Sequence, residues 1–266
     1  MSRLNTEMAI VYGPVASWRL GRSLGIDLLN AKRKVCTFDC VYCQLGETSR
    51  FFVEPKEFIS LDQLTSEFES FRPIDADYAT FSGMGEPTLA SNLGKAIELA
   101  RSVLDLPIAV LTNSSLMFRE DVRERLARAD VVVAKLDAQS EELFSVVNRP
   151  ASSLRFHTIV DGLRQFRNTY QGKLALQVMF VQANEGYAEG IAELARSISP
   201  DEVQINTPLR PSKVKPLLPE NVANIRAKFS NLRNVVTVYE APRREVRPLD
   251  LVETLRRRPG PKDYLV

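Results

Sequence analysis

Residues 78–113 read YATFSGMGEPTLASNLGKAIELARSVLDLPIAVLTN. The segment begins and ends on short apolar runs, YATFSG (78–83) and PIAVLTN (107–113), of strand length and without helical spacing. Between them LGKAIELARSVL (93–104) repeats its apolar positions every three to four residues and follows Ser91 and Asn92, both good cap types. Strand, Gly/Pro-rich turn, helix, strand is one βαβ unit, and strands joined this way run parallel with a right-handed crossover.

The same unit recurs on both sides. Strands are expected at LGIDLL (24–29), VVVAKLD (131–137), LALQVMFV (174–181), EVQIN (202–206) and VVTVYE (235–240). Most are continuously apolar, as parallel strands covered on both faces are. Helices are expected at LDQLTSEFESF (61–71, capped by Ser60), REDVRERLARA (119–129), SLRFHTIVDGLRQFRNTY (153–170), YAEGIAELARSI (187–198) and NVANIRAKFS (221–230). About six strand–helix units predict a parallel α/β fold, either a doubly wound sheet or a complete or partial barrel. Ligands in both architectures sit at the C-terminal ends of the strands. The segments to search for chemistry are therefore CTFDCVYC, GMGEPT, TNSS, KLDA, QANE and NTPLRP. No GxGxxG follows a strand and no GxxxxGK[ST] occurs, which weighs against ordinary dinucleotide and P-loop sites.

Composition excludes several classes. At 44% hydrophobic and 26% charged residues the 266-residue chain is ordinary for a globular protein. It has no apolar run of membrane-spanning length and no signal-peptide core at its start, so no membrane partner and a cytoplasmic location are expected. The net charge is +2, but residues 200–266 carry 13 Lys and Arg against 8 Asp and Glu. Arg243, Arg244, Arg247 and the run Arg256–Arg258 make this C-terminal stretch either a solvated terminal segment or a surface for nucleic acid.

All three cysteines, Cys36, Cys40 and Cys43, fall in KVCTFDCVYCQLG (34–46), spaced C-x3-C-x2-C. A structural zinc site wants a fourth ligand, and the only histidine, His157, reads as a helix-surface residue more than 100 positions away. A redox C-x-x-C made of Cys40 and Cys43 leaves Cys36 unexplained. An iron–sulfur cluster held by three thiolates, with one iron open, uses all three. A ligand set with a vacancy marks a reactive centre more often than a structural one.

The cysteine loop, with Tyr42 before its last cysteine, resembles the cluster loop of the radical S-adenosylmethionine (SAM) superfamily. GPVASWRLGRSLGIDLL, FSGMGEPTL, TNSS, AKLDA, VNRP and QINTPLRP extend the likeness over about residues 9–215 to the subgroup of Fe–S oxidoreductases related to wyosine tRNA-modifying enzymes. The resemblance implies a partial (β/α)6 TIM-like barrel at residues 24–240, with an N-terminal extension (1–23) and a basic C-terminal extension (241–266). It implies a [4Fe–4S] cluster on Cys36, Cys40 and Cys43, with SAM on the fourth iron. Reductive cleavage of SAM then gives a 5′-deoxyadenosyl radical that takes a hydrogen from substrate. A one-electron donor of the flavodoxin or ferredoxin type is implied.

Site residues follow from the same resemblance. Gly83, Gly85 and Glu86 of GMGEP are expected to receive the SAM amino group, and Tyr42 to lie against the adenine. Asn113 and Ser114 offer polar groups at the next strand end. Lys135 suits the SAM carboxylate and Asp137 a ribose hydroxyl; they flank Leu136 and share one strand face. Gln177, Asn206 and Arg210 complete the expected cofactor contacts, and Arg19 and Arg22 are candidates for holding an anionic substrate. The chain departs from its resemblance at Trp18, where similar enzymes usually carry arginine, and beyond RRRP, which in many relatives leads into a small helical domain. A tRNA base is the favoured substrate, with a peptide, protein or small molecule as the other choices. The non-enzymatic alternative is a metal- or Fe–S-binding regulatory protein.

Overall fold

A computed structural model of the chain describes residues 8–70, 74–242 and 244–260. Its centre is one eight-stranded sheet in sequential order: β1 (Val11–Ser17), β2 (Gly21–Ile26), β3 (Tyr78–Phe81), β4 (Ile108–Thr112), β5 (Val131–Lys135), β6 (Lys173–Met179), β7 (Glu202–Asn206) and β8 (Val235–Thr237). The strands from β2 to β8 run parallel, and β1 is antiparallel to β2. The sheet curls into a partial barrel of the expected kind.

The helices are α1 (Leu61–Glu69), α2 (Leu93–Leu104), α3 (Glu120–Leu126), α4 (Glu141–Val147), α5 (Phe156–Thr169), α6 (Ala188–Ile198), α7 (Pro219–Lys228) and α8 (Leu251–Arg257). Ser60 caps α1 as the sequence suggests: its side chain accepts from the Gln63 amide, and Gln63 returns a bond to the Ser60 amide. Phe71, the last residue of the expected first helix, lies outside the described residues, as does Arg243. α1 buries Leu64 and Phe68 completely, which stabilises the fold by about 1.5–3 kcal/mol per side chain.

Alternation along the strands separates two apolar regions. Outward residues such as Val110, Val132, Leu174, Leu176, Val203 and Ile205 pack under the helices. A small inward cluster of Ala109, Val131, Val133 and Ala175 closes around Leu20, from the β1–β2 turn, and forms the barrel's floor. Above that floor the inward positions become polar. Lys135, Gln177 and Gln204 are register partners across β5, β6 and β7, and Met179 and Asn206 pair one step higher.

Strand β1 and helix α8 fall within segments the sequence reads as extensions. Pro14 obscures β1 as a strand; it is tolerated because β1 is an edge strand and the ladder shifts register between Tyr12 and Val15. The chain's two ends meet there. Gly13 accepts from the Leu249 amide through its carbonyl and donates its own amide to Thr254 Oγ1.

Candidate functional site: a thiol triad at the strand ends

The loop between β2 and α1 carries the three cysteines across the C-terminal ends of the strands. Backbone bonds fix it on two sides. Val35 donates to the Met84 carbonyl and accepts from the Glu86 amide, so the loop runs alongside the GMGEP turn after β3. On the other side Asp39, Val41 and Ala151 donate to Asn148, Val147 and Thr37, which ties the loop to the VNRP turn at the end of α4. The turn passes so close to the loop that a Cβ on Gly85 would stand 1.6 Å from the Val35 carbonyl oxygen. Only glycine fits there. A Cβ on Gly83 would likewise meet the Asp27 carboxylate at 2.2 Å.

The thiols lie in a setting built for negative sulfur. Asn113 Nδ2 is 3.5 Å from Cys36 Sγ, and Asn148 Nδ2 is 3.5 Å from Cys40 Sγ. Lys34 is buried beside them, donating to the Gly46 carbonyl at 3.1 Å. Burial alone would lower its ammonium's pKa, but negative charge on Cys43, Cys36 and Cys40 carries it upward. Lys34 was missed as a site residue, although its place two residues before Cys36 was the available signal. As bare thiols, Cys36 is pushed up to about 12 and Cys40 to about 11, in each case chiefly by burial. That is the reverse of a nucleophilic redox cysteine, and such groups ionise when a metal centre binds them.

Among the described residues, no three His, Cys, Asp or Glu side chains converge as a single metal ion requires. His157 is exposed near the start of α5 and supplies no fourth ligand. The zinc reading therefore lacks its ligand set. A multi-iron cluster, which takes its thiolates at separate corners, fits the triad, the amide donors and the buried ammonium.

Several residues expected to contact the cofactor also tie the elements of the site together. Glu86 is 1% exposed. One carboxylate oxygen accepts from the Thr88 amide, the Thr88 hydroxyl and the Thr112 hydroxyl, and the other accepts from the Asn113 amide at 2.6 Å. It joins the ends of β3 and β4. Ser114 is buried with φ +70°, and its hydroxyl donates to the Lys135 carbonyl. Asp137 accepts from Tyr42 Oη, from Asn148 Nδ2 at 2.8 Å and from the Met179 amide at 2.7 Å, with Lys135 Nζ at 3.4 Å. The carboxylate that the resemblance assigns to a ribose hydroxyl thus also holds the cysteine loop to β5 and β6. Tyr42 is buried in the same network, with Lys135 Nζ 4.8 Å from its ring centre.

Lys135, Gln177 and Asn206 do face the barrel interior, as their strand register requires. Asn113 reaches the cysteine loop through Thr37 at 2.7 Å as well as through Cys36. Arg210 follows β7 and donates to the Pro259 carbonyl at 3.3 Å. Arg22 is not brought to the site. It sits at the opposite, N-terminal end of the strands, clamped by Asp75 and Asp77, because the β1–β2 hairpin turns there.

The C-terminal segment is the largest addition to the site. Arg257, sealed from solvent at the end of α8, pairs with Asp27, which itself accepts from the Met84 amide. Its carbonyl accepts from Gln44, directly after Cys43, and Arg258 donates to Ser82 at the end of β3. Residues 257–259 therefore form a strap from the ends of β2 and β3 to Arg210. Two arginines of the basic run point inward and leave the face the sequence offered to nucleic acid.

The Radical SAM superfamily model matches residues 34–195. The UPF0026 protein slr1464 of Synechocystis sp. is 40% identical over 215 residues, 80% of each chain. Among solved structures, Streptococcus suis SuiB bound to S-adenosylmethionine superposes with TM-score 0.59 at 13% identity, covering 77% of this chain and 48% of that one. TYW1 with a lysine-pyruvate adduct bound gives TM-score 0.60 at 14% identity, covering 79% and 74%. The present chain thus spans about half the length of the first and three quarters of the second. No helix among the described residues is long and apolar enough to cross a membrane. Members of the matching superfamily use a [4Fe–4S] cluster and SAM, and the thiol triad fits that set. The chain belongs to the radical SAM superfamily, and within it to the UPF0026 proteins.

Proposed function

We propose that this protein binds SAM at the open iron of a cluster held by Cys36, Cys40 and Cys43, and abstracts a hydrogen atom from a substrate lying in the barrel. When bound, cluster and cofactor together supply the 5′-deoxyadenosyl radical. The observation that carries the reading is the setting of the triad: one buried and two half-buried thiols beside two side-chain amides and a buried lysine, at the C-terminal ends of a curled parallel sheet.

The chain's own residues supply position and electrostatics. The GMGEP turn holds the cysteine loop close against the end of β3. Lys135 brings positive charge to the strand ends, and Gln177 and Asn206 bring hydrogen-bonding groups. The strap of residues 257–259 shields the mouth from water on the β2–β3 side, which favours radical chemistry over quenching. The electron reaches the centre from a one-electron donor of the flavodoxin or ferredoxin type.

The test is anaerobic reconstitution followed by incubation with dithionite and SAM. Four irons per chain and formation of 5′-deoxyadenosine are expected. A Cys40→Ala variant that retained both would overturn the proposal.

A further inference from the structure

Arg19 enters the barrel from below. It belongs to the β1–β2 turn, next to Leu20 of the floor, and its side chain is partly buried. Among the described residues its guanidinium has no carboxylate and no hydrogen-bond acceptor; its one charge contact is the face of Trp18, at 5.1 Å. Its Nε is sealed from solvent without a partner. The nearest acid in its field, Glu202, is already engaged by Lys173 at 2.7 Å and by Gln204 Nε2 at 2.7 Å. The charges of two further arginines act on Arg19. Arg258 comes down from the strap through Ser82, and Arg210 comes in from the β7 side, bound to the carbonyl of the residue after Arg258. Burial first, and then the charges of Arg258 and Arg210, lower the Arg19 pKa to about 9.

A fold does not ordinarily leave a guanidinium inside a barrel without a carboxylate of its own, since an unpaired cation withdrawn from water is costly. Guanidinium is also the group best matched to planar or tetrahedral oxyanions. A second orphan lies beside it. Gln204 is 2% exposed on the inward face of β7, and its Oε1 has no donor. An acceptor left open in a buried site asks for a ligand hydroxyl or amine.

We infer that the barrel interior is a binding site for a small oxyanion substrate, a carboxylate or phosphate carrying a neighbouring hydrogen-bond donor. Its anionic end is held between Arg19 and Arg258, with Arg210 at the rim, and its donor faces Gln204. The inference deepens the proposed radical chemistry by naming the substrate class, and it rests on that reading only for what becomes of the ligand. The floor position of Arg19, at the level of Glu202 and below the layer of Lys135, Gln177 and Gln204, separates this site from the strand ends where the cofactor sits.

Trp18 is the chain's single tryptophan and lies against Arg19, so its emission reports on the site. The experiment titrates the anaerobic, reconstituted holoenzyme with inorganic phosphate and, separately, with malonate, at constant ionic strength. A saturable change in Trp18 emission is expected, and the anion that binds more tightly assigns the ligand as phosphate or carboxylate. Arg258→Gln, which does not touch Trp18, is expected to weaken the response at least tenfold, and Arg19→Gln to abolish it. The response should persist with SAM at saturation. Three results would overturn the inference: no saturable response to either anion, a response unchanged in Arg258→Gln, or a response lost on saturation with SAM, which would mean the arginines read the cofactor's own carboxylate. Formation of 5′-deoxyadenosine in the same preparation is scored separately. A preparation that forms it without an anion response defeats the inference alone, and one with the response but no 5′-deoxyadenosine defeats the radical reading alone.

Discussion

Arg257 Nε lies 2.9 Å from Asp27 Oδ2, and the two side chains are 0% and 1% exposed. The pair joins residues 230 positions apart, and Asp27 passes the restraint on, since the same oxygen accepts from the Met84 amide at 3.2 Å. The last helix of the chain thereby holds the turn that flanks the thiol loop. Burial raises the Asp27 pKa, and the Arg257 charge offsets that rise, so each group depends on the other to remain ionised.

Removing Arg257 leaves the Asp27 carboxylate buried without a countercharge. Arg257→Met is expected to destabilise the protein by about 3–5 kcal/mol, whereas Arg257→Met with Asp27→Asn recovers a large part of that loss. Urea unfolding of the reduced apoprotein measures both. Reconstituted iron content should fall in the single variant before global stability does, because the Met84 turn loosens first. Equal losses in the single and double variants would show that the pair is not the linkage.

Gly85 and Gly46 both lie at the thiol loop and make a matched comparison. At Gly85 an added methyl would stand 1.6 Å from a backbone oxygen that cannot rotate away. Gly85→Ala must therefore part the loop from the β3 turn, and it is expected to abolish cluster incorporation. At Gly46 φ is +80° with nothing within 4 Å of the added atom. Gly46→Ala is therefore expected to cost only the left-handed backbone term, about 1–3 kcal/mol, and to keep its iron. Visible absorbance and iron analysis after reconstitution separate the two.

Asn148 donates to Cys40, Tyr42 and Asp137 at once. Asn148→Ala strips one donor from the sulfur and leaves Asp137 one bond short. A loss of about 1–3 kcal/mol is expected for the unsatisfied buried carboxylate. With one N–H fewer to stabilise the reduced cluster, the reduction potential should also move to a more negative value. Thermal unfolding and anaerobic spectroelectrochemistry read the two effects separately. Asn148→Asp provides a sharper check, because it places a second carboxylate against Asp137 and should lose the cluster altogether.

What the sequence disclosed, and what it concealed, divides along physical lines. Largely apolar runs exposed β3 to β6, because both faces of those strands are mostly covered, whereas β7 alternates, its Gln204 and Asn206 facing the barrel interior. The edge strand β1 lacks that signal: its GlyPro interruption reads as a turn until the register shift is seen. Helices α4 and α8, seven residues each, are too short for periodicity to stand out. The cysteine spacing disclosed the centre of the site but not how its neighbours are used. Glu86 and Asp137 have the right chemistry to meet a cofactor, and each also accepts several hydrogen bonds from the protein around it. Those internal bonds depend on tertiary approach and leave no local trace. Arg257 and Arg258 belong to a run that looks like a solvated basic face. Only packing shows that these two turn inward while Arg256 stays exposed.

The clamp on Arg22 gives a pH dependence with a definite sign. Hydrogen bonds from the Arg22 side chain, and then from its amide, lower the Asp77 pKa to about 2. The ordinary value in an unfolded chain is about 3.9. A carboxyl group depressed on folding adds stability that is fully present above the unfolded value and is lost as pH falls through the folded one. The contribution of this pair should therefore be constant from neutrality down to about pH 4 and fade between about pH 4 and pH 2. Asp77→Asn cannot ionise, so its stability should fall less steeply over that interval while lying below wild type at pH 7. Both side chains are about 30% exposed, so added salt should shrink the difference. Parallel acid-unfolding curves for the variant and the wild type would show that Asp77 is not the group responsible, and would return Arg22 to the list of side chains free to bind something else.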